Sequence, residues 1–360
     1  MSGQVIIVGG GYIGYALARE LDNAAAVTLI EPRSHFVHAA AMIRGVVQPD
    51  LVERALMPYD GLLKRGTVLQ ARVESVSGTG VTLTDGSHLA ADVIVVATGS
   101  GYAAPFKPAG DDIEAFRAAQ AEAHSSLQRA GSVAIVGAGA VGIELAGEIK
   151  AAMPACEVTL VSDTPALLPT YPSRLGAELR KRLDLLGVSL RLGHSAVSLA
   201  STSAPFSGPI TLDTDEKIAA DLVFPVTGAR PRTELLVPLP GAKTGPDGRV
   251  IADRWMRPSD LPNVLAAGDA VDLGDAMTIV GTMRQVPWLA RAVRTLLRGQ
   301  DLGRSFAYGA WPNPPILLPL GPRLGASYLP VVGVRGNGTT RLIKGKTLFL
   351  PKHRGHFGLS

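Results

Sequence analysis

Apolar residues at the start of the chain come in short blocks punctuated by glycine. Gln4-Val5-Ile6-Ile7-Val8 is a β-branched block of the kind that fills a buried parallel strand. It runs into Gly9-Gly10-Gly11-Tyr12-Ile13-Gly14 and then into helical spacing from Tyr15 to Leu21. A second block, Val27 to Ile30, ends at Glu31. The pattern predicts strand, glycine turn, helix and strand, the context in which G-x-G-x-x-G marks a dinucleotide site. Gly9 permits the tight turn, Gly11 lets the backbone approach a pyrophosphate, and Gly14 lets the helix close on the strand. The first N–H groups of that helix would face the phosphates, and Glu31 is placed to accept hydrogen bonds from a ribose.

The same pattern then recurs. Ser132 to Val136 leads into Gly137-Ala138-Gly139-Ala140-Val141-Gly142, a helix from Ile143 to about Met153, and a strand from Val158 to Val161. Ala91 to Gly99 is echoed by Ala220 to Gly228, each copy preceded by alternating strand-like segments, Val73 to Leu89 and Val188 to Ile218. Gly99 to Pro105 reads as a crossover linker and Gly228-Ala229-Arg230-Pro231 as the return. Asn263 to Ala270 reads as a strand ending in Gly268-Asp269, and helical spacing runs from Met277 to Leu297, with a kink expected at Pro287. A strand pair, Thr340 to Ile343 and Thr347 to Leu350, is expected around Lys344-Gly345-Lys346. The fold class is therefore α/β, with two Rossmann-like dinucleotide-binding units, one inserted in the other, and a short C-terminal α+β region. The expected divisions are residues 1–102 and 229–300 for the first unit, 103–228 for the inserted unit, and 301–360 for the C-terminal region.

Composition narrows the class. The chain has 360 residues, 46% of them apolar and 18% charged, enough for two or three domains around a sizeable core. No segment reaches the ~18 uninterrupted apolar residues of a membrane span. The first strand begins at Gln4, and Ser2 follows Met1, so neither a signal peptide nor an N-myristoyl glycine is expected. A cytoplasmic protein is expected. Cys156 is the sole cysteine, which excludes an internal disulfide and any Cys-x-x-Cys pair. From residue 301 onward eight Lys/Arg face one Asp, a charge of +7; the whole chain is +4, so residues 1–300 carry −3. A basic end suits an anionic surface or an acidic protein, or it is a solvated tail.

Two such units, the Thr98-Gly99 and Thr227-Gly228 junctions, and the late Ala267-Gly268-Asp269 together resemble the two-dinucleotide-binding flavoprotein family. The resemblance covers about residues 4–300. Ser34 to Arg44, with Phe36-Val37-His38 followed by Arg44, is similar to the apoptosis-inducing-factor-like and ferroptosis-suppressor-like quinone reductases, near the type II NADH dehydrogenases. So is Gly142 to Lys150. The resemblance implies FAD in the first unit and NAD(P)H in the second. It assigns Gly9, Gly11, Tyr12, Ile13, Gly14, Glu31 and Arg33 to FAD, with Arg44, Val73, Thr98, Gly99, Gly268 and Asp269. Gly137, Gly139, Val141, Gly142, Ser162 and Gly228 fall to the nicotinamide nucleotide.

Glu144 is implied to lie near the nicotinamide and flavin; its plain alternative is a carboxylate favouring a helix start. His38 either relays protons to an acceptor near neutral pH or packs its segment and bonds backbone. Arg44 reaches a cofactor phosphate or a loop carboxylate. Relatives carry a lysine ahead of the late helix, where this chain reads Gly274-Asp275-Ala276-Met277-Thr278. Helix-end N–H groups around Met277 and Thr278 are then expected to support charge on the flavin. Trp311-Pro312-Asn313-Pro314-Pro315 has no counterpart. His88, His124 and His194 have no companions at ligand spacing, so no metal site is read.

Ser162 would tolerate a 2′-phosphate and Asp163 would repel one, so the nucleotide is left as NAD(P)H. The expected function is an FAD-dependent oxidoreductase that passes hydride from NAD(P)H to FAD and electrons to an external acceptor, a quinone. The basic end, with Phe349, Leu350 and Phe357, would rest on a membrane. The alternatives are a ferredoxin or rubredoxin reductase and a redox-sensing binding module. No nucleic-acid partner is expected, and a homodimer would be a family habit.

Overall fold

The computed structural model describes residues 3–304, 307–311 and 313–360; Met1, Ser2 and Pro312, named above, lie outside them. The first block forms β1 (Gln4–Val8), which runs through the glycine turn into α1 (Tyr12–Leu21) and returns as β2 (Ala26–Ile30). With β3 (Thr67–Leu69), β4 (Val93–Val96) and a late strand, Val264–Ala266, they make a five-stranded parallel sheet. Its order is Val264–Ala266, β4, β1, β2, β3. Strand alternation sorts the side chains of β1. Val5 and Ile7 pack with Leu17 of α1 and with Leu289, whereas Ile6 and Val8 pack with Val73 and Val81 of the three-stranded antiparallel sheet spanning 73–90.

The second unit repeats this construction. β5 (Ser132–Val136) leads into α2 (Ala140–Ala152), and β6 (Glu157–Ser162), β7 (Val188–Leu192) and β8 (Leu222–Pro225) complete a parallel sheet in the order β7-β6-β5-β8. In sequence this sheet lies between β4 and the late strand of the first sheet. Two short antiparallel segments, Ser100–Gly101 and Arg230–Pro231, form the double crossover.

The C-terminal region is an antiparallel sheet, β9 (Ile316–Leu320), β10 (Leu324–Leu329) and β11 (Gly333–Arg335), that packs on α2. Gly147 makes that approach close: a Cβ there would run into Leu320.

Three expectations are corrected here. The strand pair around Lys344 is absent. Asn337–Thr340 and Leu350–His356 are helical, with a π-turn at Arg341–Gly345 between them. Four-residue segments are too short to carry a decisive period, and tertiary bonds decide: Thr340 Oγ1 lies 2.6 Å from Ser327 Oγ and also donates to the Gly336 carbonyl. The late helix breaks at Arg284, between Ile279–Met283 and Gln285–Leu297, and not at Pro287. Pro287 falls in the first turn of the second piece, where a missing N–H costs no helical bond. Leu350 and Phe357, expected to meet a membrane, are buried in the core. The exposed apolar residues of this region are Val331 (97%), Val332, Leu342 (79%) and Ile343. Among the described residues no helix is long and apolar enough to cross a membrane.

Candidate functional site: two nucleotide cradles joined by a slot

The turn after β1 opens on a cavity lined by Gly9, Gly11, Tyr12, Ile13, Glu31, Arg33, Thr98, Gly99, Gly268 and Asp269. Gly9 has a φ of +101°, and a Cβ on Gly14 would collide with the Gly9 carbonyl, so both positions demand glycine. A Cβ on Gly11 would meet nothing within 4 Å: this backbone is open for a ligand to approach. Glu31 is buried, and its Oε2 accepts the Gly10 N–H at 2.7 Å while Oε1 accepts Arg33 Nε at 2.6 Å. With about four lone-pair sites, the carboxylate retains capacity for a ribose hydroxyl. An adjoining cavity is walled by Glu31, Arg33, Val73, Thr98 and Arg232. Thr98 lines both cavities, although its hydroxyl donates to the Arg232 carbonyl at 2.7 Å. Asp269 accepts Ser100 Oγ–H at 2.6 Å and lies 3.7 Å from the Lys107 ammonium. These residues fit a dinucleotide.

The second glycine turn repeats the geometry. Gly137 has a φ of +114°, a Cβ on Gly142 would strike the Gly137 carbonyl, and Gly139 is open. Its cavity includes Gly137, Gly139, Ser162, Asp163, His194, Thr227 and Gly228.

Between these cradles lies a mostly apolar slot. It shares Tyr12, Lys107 and Asp269 with the first cavity and Tyr102 with the second. Ile43, Val141, Ile279, Val280, Ile316, Leu317 and Phe349 supply apolar wall, together with Glu144, Met277, Thr278 and Lys344. Lys344 Nζ donates to Glu144 Oε1 at 2.6 Å and to the Leu317 carbonyl at 3.1 Å. Burial pushes the Glu144 carboxyl up to about 7, against the pull of the Lys344 ammonium.

Three assignments are corrected. Arg44 reaches no phosphate. Its Nε and Nη2 donate to Glu148 at 2.9 and 2.8 Å and its Nη1 to the Gly345 carbonyl, so the guanidinium is spent inside a buried pair. His38 is fully buried: Nε2–H donates to the Leu348 carbonyl at 2.6 Å, which leaves Nδ1 to accept the Tyr12 hydroxyl at 2.9 Å. Burial drives its pKa down to about 4, so it is neutral at physiological pH and packs its segment, with no free nitrogen for a relay. Thr278 is occupied as well, its N–H by the Ala276 carbonyl and its hydroxyl by the Gly281 N–H; Met277 is half-exposed. Positive charge in the slot comes instead from Lys107 and Lys344.

The sequence reading missed both lysines, Arg232, and Tyr59, whose hydroxyl donates to the Gly10 carbonyl at 2.8 Å. Lys107 lies two residues beyond the crossover linker and Lys344 in the misread turn, and neither lies in a motif. Among the described residues no cluster of His, Cys, Asp and Glu has metal-holding geometry.

Comparison with known proteins agrees with this geometry. The pattern of the pyridine nucleotide-disulphide oxidoreductase family matches residues 3–292. Apoptosis-inducing factor homolog B of Dictyostelium discoideum is 27% identical, over 97% of this chain and 95% of its own length. Ferroptosis suppressor protein 1 of Xenopus tropicalis is 27% identical over 83% and 82%. A ferredoxin reductase from Rhodopseudomonas palustris shares the fold with a TM-score of 0.70 at 17% identity, covering 91% of this chain and 88% of that one. The chain thus belongs to the pyridine nucleotide-disulphide oxidoreductase family, and as an oxidoreductase of that family it works with FAD and NAD(P)H.

Proposed function

We propose that the protein is an NAD(P)H:quinone oxidoreductase. The observation that carries this reading is the slot itself, which shares walls with both cradles and holds the Glu144–Lys344 pair in a mostly apolar lining, with Lys107 and Asp269 where it meets the first cradle. Bound FAD supplies two-electron exchange between NAD(P)H and an acceptor. The chain's own residues do the rest. The glycine turns and Glu31 hold the nucleotides, and the apolar walls exclude water and suit a flat, uncharged ring. The Glu144–Lys344 pair holds a proton at the wall of the slot. The relatives named as ferroptosis suppressor and apoptosis-inducing factor homologs lie in the same branch as the resemblance to quinone reductases.

The ferredoxin-reductase fold and the basic C-terminal region favour a second reading, an acidic iron–sulfur protein as acceptor. Comparing NADH oxidation with a soluble short-chain quinone and with a ferredoxin separates the two. The quinone is expected to give the higher kcat/KM by about tenfold or more; the reverse order would reject the proposal.

For the donor, NADH is expected to be preferred. The lining of the second cavity offers Asp163 and no Lys or Arg to meet a 2′-phosphate. A like charge there costs on the order of 1–3 kcal/mol, so kcat/KM should favour NADH by about tenfold or more. Asp163→Ser should narrow the gap, and an NADPH preference in the unaltered enzyme would contradict the assignment.

A further inference from the structure

Among the described residues, one cation in the first cradle lacks a counter-ion. Arg33 is matched by Glu31 at 2.6 Å and Lys107 faces Asp269 at 3.7 Å. Arg232 lines both the cavity containing Gly9–Gly11 and the adjoining one containing Val73. Its guanidinium makes one hydrogen bond within the described residues, to the Pro108 carbonyl at 3.4 Å, and no carboxylate among them comes within ion-pair distance. Burial first, and then the charge of Arg33, depress its pKa against the pull of Glu31 and Glu234. A half-buried guanidinium without an ion-pair partner is costly unless an anion answers it.

Its backbone, by contrast, is fixed. The Arg232 N–H donates to the Gly99 carbonyl at 2.9 Å, and its own carbonyl accepts the Thr98 hydroxyl at 2.7 Å. It directly follows Arg230–Pro231, which pairs with Ser100–Gly101 in the crossover.

We propose that Arg232 is the charged ligand of the FAD diphosphate, which makes the interdomain crossover part of the cofactor site. The glycine turn offers backbone N–H groups to the phosphates but no full charge. A guanidinium supplies that charge, with forked donors that match two phosphate oxygens. Because the residue is anchored to Thr98 and Gly99, FAD also stabilises the paired crossover segments. The inference rests on the FAD assignment and not on the acceptor, so failure of the quinone reading leaves it standing.

The test is release of FAD from the holoenzyme on dilution, followed by the fluorescence of free flavin at low and at high salt. Arg232→Ala should hold FAD about tenfold to hundredfold more weakly than the unaltered enzyme, and the gap should shrink as salt screens the contact. Arg232→Lys, which keeps the charge, should fall between them. Arg230→Ala should match the unaltered enzyme, since Arg230 is exposed and bonds Thr202. Retention of FAD by a folded Arg232→Ala protein would overturn the proposal. So would an equal, salt-independent loss in Arg232→Ala and Arg232→Lys, because that is the signature of disturbed crossover packing.

Discussion

Replacing Glu144 by Gln is expected to slow re-oxidation of the reduced enzyme by quinone about 100-fold, within the 10²–10⁴ range of positioned proton donors. Bound flavin absorbance should be unchanged. The carboxyl is buried at the wall of the slot, and burial holds its pKa near 7 even with Lys344 at 2.6 Å. A group poised there gains and loses a proton easily at working pH. The amide introduced by Glu144→Gln would keep the volume and the contact with Lys344 but could carry no transferable proton. The sign of the pH dependence follows. The protonated form donates, so the acceptor half-reaction of the unaltered enzyme should slow as pH rises through about 7. In Glu144→Gln that titration should vanish. A variant with normal re-oxidation at every pH would remove Glu144 from the chemistry and leave it as a helix-start carboxylate.

Acid should weaken the fold through a histidine cluster that clamps the C-terminal helix to the first glycine helix. His38 and His353 are both buried with ring centroids 4.5 Å apart, and the Tyr15 hydroxyl bonds His353 Nδ1 at 2.7 Å and His356 Nδ1 at 3.2 Å. The charged groups that bear on the cluster, Arg19, Lys344 and Lys352, are all cationic. Burial first, then Lys344, pushes His38 down to about 4 against its bond to the Leu348 carbonyl; burial, then His38, His356 and Lys352, pushes His353 to about 3. In the unfolded chain each titrates at about 6.5. Above that pH both states carry neutral rings and the cluster imposes no pH-dependent penalty. As pH falls below about 6.5 the unfolded chain binds protons that the folded one refuses, so stability declines until the folded values are reached. The two rings are close enough to titrate as a pair, and the combined loss at about pH 4 is on the order of 5 kcal/mol. Urea unfolding at a series of pH values should show the decline. His353→Phe, which retains a ring but no titrating nitrogen, should flatten it. A midpoint equal at about pH 5 and pH 7 would contradict the cluster's role.

Local chemistry explains which parts of this protein can be read from its residues. A glycine forced to positive φ beside a β-branched block and an amphipathic helix is a short-range constraint, so both cradles, their repeat and the crossover positions are legible. Glu31, Thr98 and Asp269 follow because each sits at the end of a strand whose position the motif already fixes. The slot is another matter. Glu144 and Lys344 are 200 residues apart, and nothing near Lys344 announces it. Thr340 to Leu350 reads as two short segments flanking a Lys-Gly-Lys turn, as a hairpin would, yet the segment turns helical because Thr340 and Lys344 find partners on β10, β9 and α2. His38 and Arg44 fail for a related reason. Their spacing after Phe36 resembles a functional segment, but burial and the long-range partners Leu348, Gly345 and Glu148 decide what their nitrogens do.

The central claim is that electrons enter from a nicotinamide nucleotide and leave to a quinone across the slot. Anaerobic titration of the purified, flavin-bound protein with NADH, followed by one equivalent of a soluble quinone, tests it most directly. Bleaching of the flavin by NADH and full return of its colour on adding quinone is the expected result. Bleaching that quinone fails to reverse, but that a reducible ferredoxin does, would contradict it.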